Sequence, residues 1–293
     1  MRLAETRHPA KIGCMNRAIP AITSFSFEIV SFLALAFAVI FALAEPHPSA
    51  ISPSLNPQTG MPVIVELFTS EGCSSCPPAD ALLARYESQQ PVANAQIIAL
   101  EEHVDYWNEL GWVDPFSGRE WTNRQADYAT SLGNGNPYTP QMVVDGRTEF
   151  VGSRESQARQ AIARAAFEPK TRVSVGFQPG EKSGAGTVQI VVDKLASSSP
   201  GDEPEIWLAI TETDLHSDVT RGENAGRALG HASIARVLRK VGRAQGNADV
   251  AFSQSSPIKL DSRWKVANLH AVAFVQERKS RRILGAAIVG VRP

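Results

Sequence analysis

Cysteine is scarce in this chain, with three in 293 residues. A small secreted scaffold stapled by disulfides needs more than that, so that class is excluded. The sequence has no G-x-S-x-G, H-E-x-x-H or G-x-x-x-x-G-K stretch, which leaves serine hydrolases, zincins and P-loop enzymes without support. Basic excess is missing too: 29 Lys and Arg stand against 30 Asp and Glu, for a net charge of −1. No electrostatic footprint for nucleic acid follows from that balance. Internal repeats are absent. The length allows two modest cores as readily as one large one.

One long apolar run is present, and it lies at the start. Ile29 to Phe41 is uncharged, Arg2, Arg7, Lys11 and Arg17 precede it, and Ala42-Leu43-Ala44 follows as a small-residue cleavage site. This is the layout of a secretory signal peptide over residues 1–44, and it predicts a periplasmic or secreted protein. A retained membrane anchor is the alternative, because the run approaches the lower end of spanning length. Membrane contact is expected only in that case. Cleavage would remove four basic and two acidic residues, taking the net charge from −1 to −3, and would remove Cys14. Cys73 and Cys76 would then be alone. Residues 45–60 are rich in proline and read as a flexible leader.

The stretch on which the rest is organised is Val63 to Asp80. A β-branched run, Val63 to Phe68, feeds a Thr/Ser/Glu/Gly loop, the two cysteines, and a helical pattern over about 77–86. A dithiol at a helix start sits where the macrodipole favours a thiolate, the reactive form of cysteine. A spacing of three residues puts both sulfurs on one side of the first turn, within reach of a disulfide. Crosslinking so short a loop removes little chain entropy. Chemistry explains the pair better than stability does, with an inert disulfide or a half-built metal site as the bland alternatives.

Further along, Gln96 to Leu100 reads as a second buried strand, which makes a β-α-β unit with a parallel pair. Residues 101–136 are irregular and aromatic-rich, with a helix expected over Arg119 to Leu132. Asp145-Gly146 between 141–144 and 148–151 is a hairpin turn, and a helix over about 154–167 closes the unit. From Thr171 alternating runs at 173–177, 187–192, 206–211 and 269–275 and an apolar run at 283–291 suggest a β-rich domain, 171–293, of sandwich type. The 231–241 run fits a short helix or a strand equally well.

The element order resembles a thioredoxin fold. More narrowly, the stretches 66–80, 103–117, 138–153 and 222–231 resemble the DUF1223 family of exported thioredoxin-like proteins, over about residues 62–292. The resemblance implies a fold: an α/β thioredoxin-like domain over 61–170 with an aromatic insertion, followed by the separate β-rich domain. The family brings no established activity. By analogy with thioredoxin-like proteins, Cys73 is the exposed attacking thiol and Cys76 the resolving one. Pro140 in the cis form packs beside them, and Thr139 offers its backbone to an extended substrate. Glu66, seven residues before Cys73, is a candidate proton relay under the disulfide.

The leading expectation is an exported thiol-disulfide oxidoreductase that needs no cofactor beyond its own disulfide. It would act on a protein or a small thiol through a redox partner that the sequence does not identify. Two alternatives compete. One is a copper-binding or metal-delivery protein using Cys73, Cys76 and His103, since His103 ends the second strand where ligand crevices form. The other is a non-catalytic envelope binding module. In the second half, Glu223-Asn224-Ala225-Gly226-Arg227 is a polar loop of the kind that binds or caps something, and a structural turn is the simpler reading.

Overall fold

The computed structural model describes residues 60–292 apart from Asn247. The expected signal peptide and nearly all of the leader lie outside the described residues. No helix among the described residues is long and apolar enough to cross a membrane.

Strand β1 (Met61–Thr69) is buried along almost its whole length, and so is β2 (Ala95–His103), its parallel neighbour. Between them runs α1 (Pro77–Gln89). Burial on both faces is what a nearly continuous apolar run demands of a parallel strand. Val63, Val65 and Leu67 pack against Ala79, Leu82, Leu83 and Tyr86 of α1 and against α3 (Glu155–Ala165). Each such side chain contributes about 1.5–3 kcal/mol. The alternate residues face the other way: Ile64 joins Ile98 and Leu100, while Phe68 meets Tyr128 of α2 (Arg119–Leu132). Helix α2 stops where the sequence predicts, at Gly133, whose φ of 69° is left-handed.

The hairpin β3 (Gln141–Val144) and β4 (Thr148–Val151) pairs antiparallel beside β1. Its turn needs positive φ at Asp145 (48°) and Gly146 (68°), the backbone of a two-residue hairpin loop. Gly146 is also required for space, because a Cβ there would lie 1.8 Å from the Arg281 carbonyl oxygen.

The second half supplies β5 (Val173–Pro179), β6 (Ala185–Asp193), β7 (Pro204–Glu212), β8 (Leu215–Val219), β9 (Arg227–His231), β10 (Ile234–Arg243), β11 (Val250–Lys259), β12 (Leu269–Glu277) and β13 (Ile283–Gly290). The ambiguous 231–241 run is thus strand, and the β8–β9 hairpin and β11 were not visible as alternating runs.

The expected fold class, a helix-flanked thioredoxin-like α/β domain followed by a separate β-rich domain, is overturned here. Strands of both halves join one mixed eight-stranded sheet in the order β13-β12-β7-β10-β2-β1-β3-β4. The molecule is mostly β, with three α-helices among the described residues. The seam is narrow: Ile234 of β10 registers with Glu101 of β2, and the Glu101 amide donates to the Ser233 carbonyl at 2.8 Å. Beside it, Ile64, Ile98 and Leu100 of the first half share a core with Ala209, Val272, Phe274 and Ile283 of the second. A three-stranded sheet, β11-β6-β5, packs on the far end through Val188, Ile190 and Val192 against Ile206, Leu208 and Ile210. That layering is sandwich-like, but one of its layers belongs to the shared sheet. Alternation along each strand predicted the strands; it carries no information on which strand is the neighbour across a 130-residue gap in the chain.

Candidate functional site

Cys73 and Cys76 form a disulfide at the start of α1. Cys76 is the N-cap, and Pro77 and Pro78 occupy the first two helical positions. Neither proline has an N–H. The next two amides, Ala79 and Asp80, both donate to the Cys76 carbonyl, at 2.8 and 3.2 Å. So the expected benefit of a helix N-terminus is reduced to its dipole, with no free helix amide for a sulfur. The polar neighbour of Cys73 Sγ is the Ser75 hydroxyl at 3.3 Å.

The expected exposure of Cys73 is not met. Both cysteines are 0 % exposed, whereas Ser74 and Ser75 are open to solvent. Two clasps hold the loop. On one side the Trp107 backbone and Cβ crowd Gly72, where an added Cβ would meet Trp107 Cβ at 3.1 Å. The Trp107 indole then donates to Thr139 Oγ1 at 2.8 Å, tying the disulfide loop to the Thr139-Pro140 turn. That peptide bond is cis. On the other side comes the 222–226 loop between β8 and β9. Asn224 Nδ2 donates to the carbonyls of Glu71 (2.8 Å) and Cys73 (3.0 Å), and Glu223 Oε2 accepts from the Ser74 amide at 3.1 Å. The simpler reading of that loop, a turn that serves only itself, gives way to the capping one.

Glu66 is not beneath the disulfide. It shares its face of β1 with Ile64 and Phe68, away from α1, and is ion-paired to Arg124 of α2. Strand parity explains the miss: the residue that faces the helix start is Thr69, whose hydroxyl donates to Asp80 at 2.6 Å. Burial, then repulsion from Glu101, pushes Asp80 up to about 7. Asp80 follows Cys76 by four residues and therefore lies on the same side of α1.

Arg124 also donates to Tyr128 and Gln276 and lies 3.4 Å from Glu102. One guanidinium thus serves two carboxylates. Glu102 is raised well above the ordinary range by burial and by its like-charged neighbour Glu66. Both Glu102 oxygens, Glu66 Oε2 and Arg124 Nε have no hydrogen-bond partner.

On the opposite face of β2 a second buried cluster forms behind the disulfide loop. His103 at the end of β2 donates through Nδ1 to Asp114 (2.7 Å) and through Nε2 to Glu101 (3.1 Å). His231 at the end of β9 donates through Nδ1 to the same Glu101 oxygen (2.8 Å) and through Nε2 to Glu71 (3.0 Å). Glu71 also accepts from the Trp112 indole (2.8 Å), and Asp114 accepts from the Glu71 amide (2.8 Å). Burial disfavours charged imidazoles. The carboxylates outweigh it, raising His103 well above its usual range and His231 to about 9. Burial likewise opposes ionisation of Glu101, yet the hydrogen bonds from both histidines hold it at about 2. Both ring nitrogens of His103 are therefore engaged by carboxylates, and its neighbours are not the sulfurs.

Of the residues picked from sequence, the structure gathers Cys73, Cys76, Thr139 and Pro140 around Trp107 and α1, and sends Glu66 to the Arg124 cluster and His103 to the cluster behind the loop. Sequence reasoning missed Asp80, Glu71, Glu101, Asp114, Arg124 and His231 as site residues. The H-V-D-Y-W segment and the 222–231 stretch carried a signal; nothing in spacing could have joined them. A cleft of ≈ 830 Å³ lined by Met61, Val173, His270 and Arg292 lies at the other end of β1 and does not touch the disulfide.

The profile of a family described as "protein of unknown function (DUF1223)" matches residues 64–276. Among solved structures, a crystallised protein from Agrobacterium tumefaciens is similar at 26% identity and a TM-score of 0.57, over 80% of this chain and 96% of that one. HBP35 of Porphyromonas gingivalis is similar in fold at 14% identity and a TM-score of 0.58, over 79% and 76% of the two chains. No curated protein matches.

Proposed function

This chain belongs to the DUF1223 family, and from that premise and the geometry above we propose that it is an exported thiol-disulfide exchange protein whose reactive pair is Cys73 and Cys76. The observation that carries the reading is the disulfide itself, closed across the two residues that start α1, with exposed Ser74 and Ser75 at its tip. A pair that closes so small a loop adds little to stability, so its value lies in exchange.

In the oxidised chain a substrate thiolate attacks Cys73 Sγ. The Cys73–Cys76 bond breaks, a mixed disulfide forms at Cys73, and the electron pair leaves on Cys76. Asp80, one turn after Cys76 on α1 and raised to about 7, would donate a proton to that thiolate. A second substrate thiolate then attacks the substrate sulfur of the mixed disulfide, releasing an oxidised substrate and the reduced dithiol. The reverse sequence reduces a substrate disulfide, and the potential of the pair sets the direction. Because both sulfurs are buried, exchange requires the Asn224 clasp to open. Export is supported by the apolar run and Ala42-Leu43-Ala44 site of the sequence.

The test is alkylation of native protein poised in glutathione buffers, followed by insulin reduction with Cys73→Ser and Cys76→Ser variants. Reversible titration of both thiols is expected, with loss of activity in Cys73→Ser and trapped mixed disulfides in Cys76→Ser. A pair that stays oxidised across the buffer series, with no turnover by the wild type, would sink the proposal. Burial of both sulfurs favours a second reading, a loop clip without exchange, and that same result would support it.

A further inference from the structure

The two histidines behind the disulfide loop are arranged as metal ligands are. His103 Nε2 and His231 Nδ1 converge on one atom, Glu101 Oε1, at 3.1 and 2.8 Å. The three donor atoms lie within 4.8 Å of one another, and all three residues are buried. Zinc bound by nitrogen and oxygen at about 2.0–2.1 Å sets neighbouring donors roughly 3.3 Å apart. The two distances to Glu101 are already close to that, and the two imidazole nitrogens lie within 4.8 Å of each other.

The outward-facing atoms are the more telling observation. A metal-bound imidazole almost always donates its other N–H to a carboxylate or carbonyl, which fixes its tautomer and aim. Both rings do so: His103 Nδ1 to Asp114 and His231 Nε2 to Glu71. The carboxylates are themselves held, Asp114 by the amides of Glu71 and Phe116, and Glu71 by the Trp112 indole. The other oxygen of Glu101 accepts from the Ala232 amide at 2.6 Å. Phe116 closes the assembly, its ring edge-on to both imidazoles at 5.5 and 5.3 Å. Three inner ligands and the outer supports of both imidazoles are in place.

We infer that Glu101, His103 and His231 bind one divalent first-row transition ion, of the class represented by Zn²⁺. Two imidazoles and one carboxylate form a donor set of borderline hardness that suits such ions and is poor for Mg²⁺ or Ca²⁺. The site is enclosed, so the ion enters as the chain folds. It would join β2 of the shared sheet, which carries two ligands, to the separate β8–β9 hairpin, which carries the third just before β10 begins. It also backs the disulfide loop, through Glu71 two residues before Cys73. The inference does not rest on disulfide exchange, since metal retention is read without turnover.

The experiment uses the purified full chain, unfolded in the presence of a chelator, refolded with Zn²⁺ and passed through gel filtration. One zinc retained per chain is expected, with a rise in unfolding temperature that a chelator reverses. His231→Ala should lose the retained zinc, and a Cys73→Ser/Cys76→Ser double variant should keep it. Where His231→Ala does not fold, the wild type loaded with Co²⁺ decides. Ligand-field bands without a thiolate charge-transfer band support the site. A wild type that retains no zinc and shows no thermal shift would falsify it, as would thiolate charge transfer, which would put the ion on the cysteines.

Discussion

Two buried charge clusters flank the ends of β1 and β2, and they are built on opposite plans. Around Glu101, four ring nitrogens of two histidines meet carboxylate oxygens without exception. Around Arg124, a single cation faces Glu66 and Glu102, and four polar atoms have no hydrogen-bond partner. The first plan fixes geometry. The second only balances charge, at the cost of holding a carboxylic acid far above its usual range. A buried polar network that is fully satisfied specifies one arrangement, while a partly satisfied one does not. The cluster behind the disulfide is therefore the one organised for a task.

The largest effect that separates the plans is expected from Arg124→Ala. Removing the lone cation leaves Glu66 and Glu102 buried without compensation, and urea unfolding should show a loss of about 3–5 kcal/mol. Stability unchanged within error would mean that the guanidinium is not what holds those carboxylates. Next comes Asn224→Ala, which strips both the Glu71 and Cys73 carbonyls of their donor. A loss of about 1–3 kcal/mol is expected, together with faster reduction of the disulfide by dithiothreitol. If the reduction rate does not change, the 222–226 loop is not the gate. The smallest effect belongs to Glu102→Gln. Neither Glu102 oxygen accepts a hydrogen bond, and burial already disfavours its charged form, so a neutral amide should change stability by no more than about 1 kcal/mol in the same unfolding measurement. A large destabilisation would show that Glu102 carries a role its contacts do not reveal.

The same contrast marks what could be read from the chain alone. The disulfide loop was legible because strand, loop, cysteines and helix are contiguous and each has a local signature; so was the Asp145-Gly146 hairpin. Helix α2 ended at Gly133 as read. Glu66 was misplaced because its role depends on parity along β1, where a shift of one residue exchanges the two faces of the sheet. Asp80 carried no signal of its own in the sequence, because an acid in the first turn of a helix is ordinary there. His231 sat in a run whose period fitted helix and strand alike, and its partners Glu101 and Glu71 lie 130 and 160 residues away in the chain. The join between β10 and β2 was invisible for the same reason: hydrophobic alternation tells which face of a strand is buried, not which strand lies beside it. Hence the fold was read as two bodies where one sheet runs through.

Those long separations have a consequence for synthesis. Glu71, Glu101, His103 and Asp114 are all translated before His231, the last member of their cluster, which follows Glu101 by 130 residues. A growing chain that has emerged only as far as α3 therefore holds a surplus of acids in a place meant to be dry. The charge balance of that interior is completed only once β9 has been made.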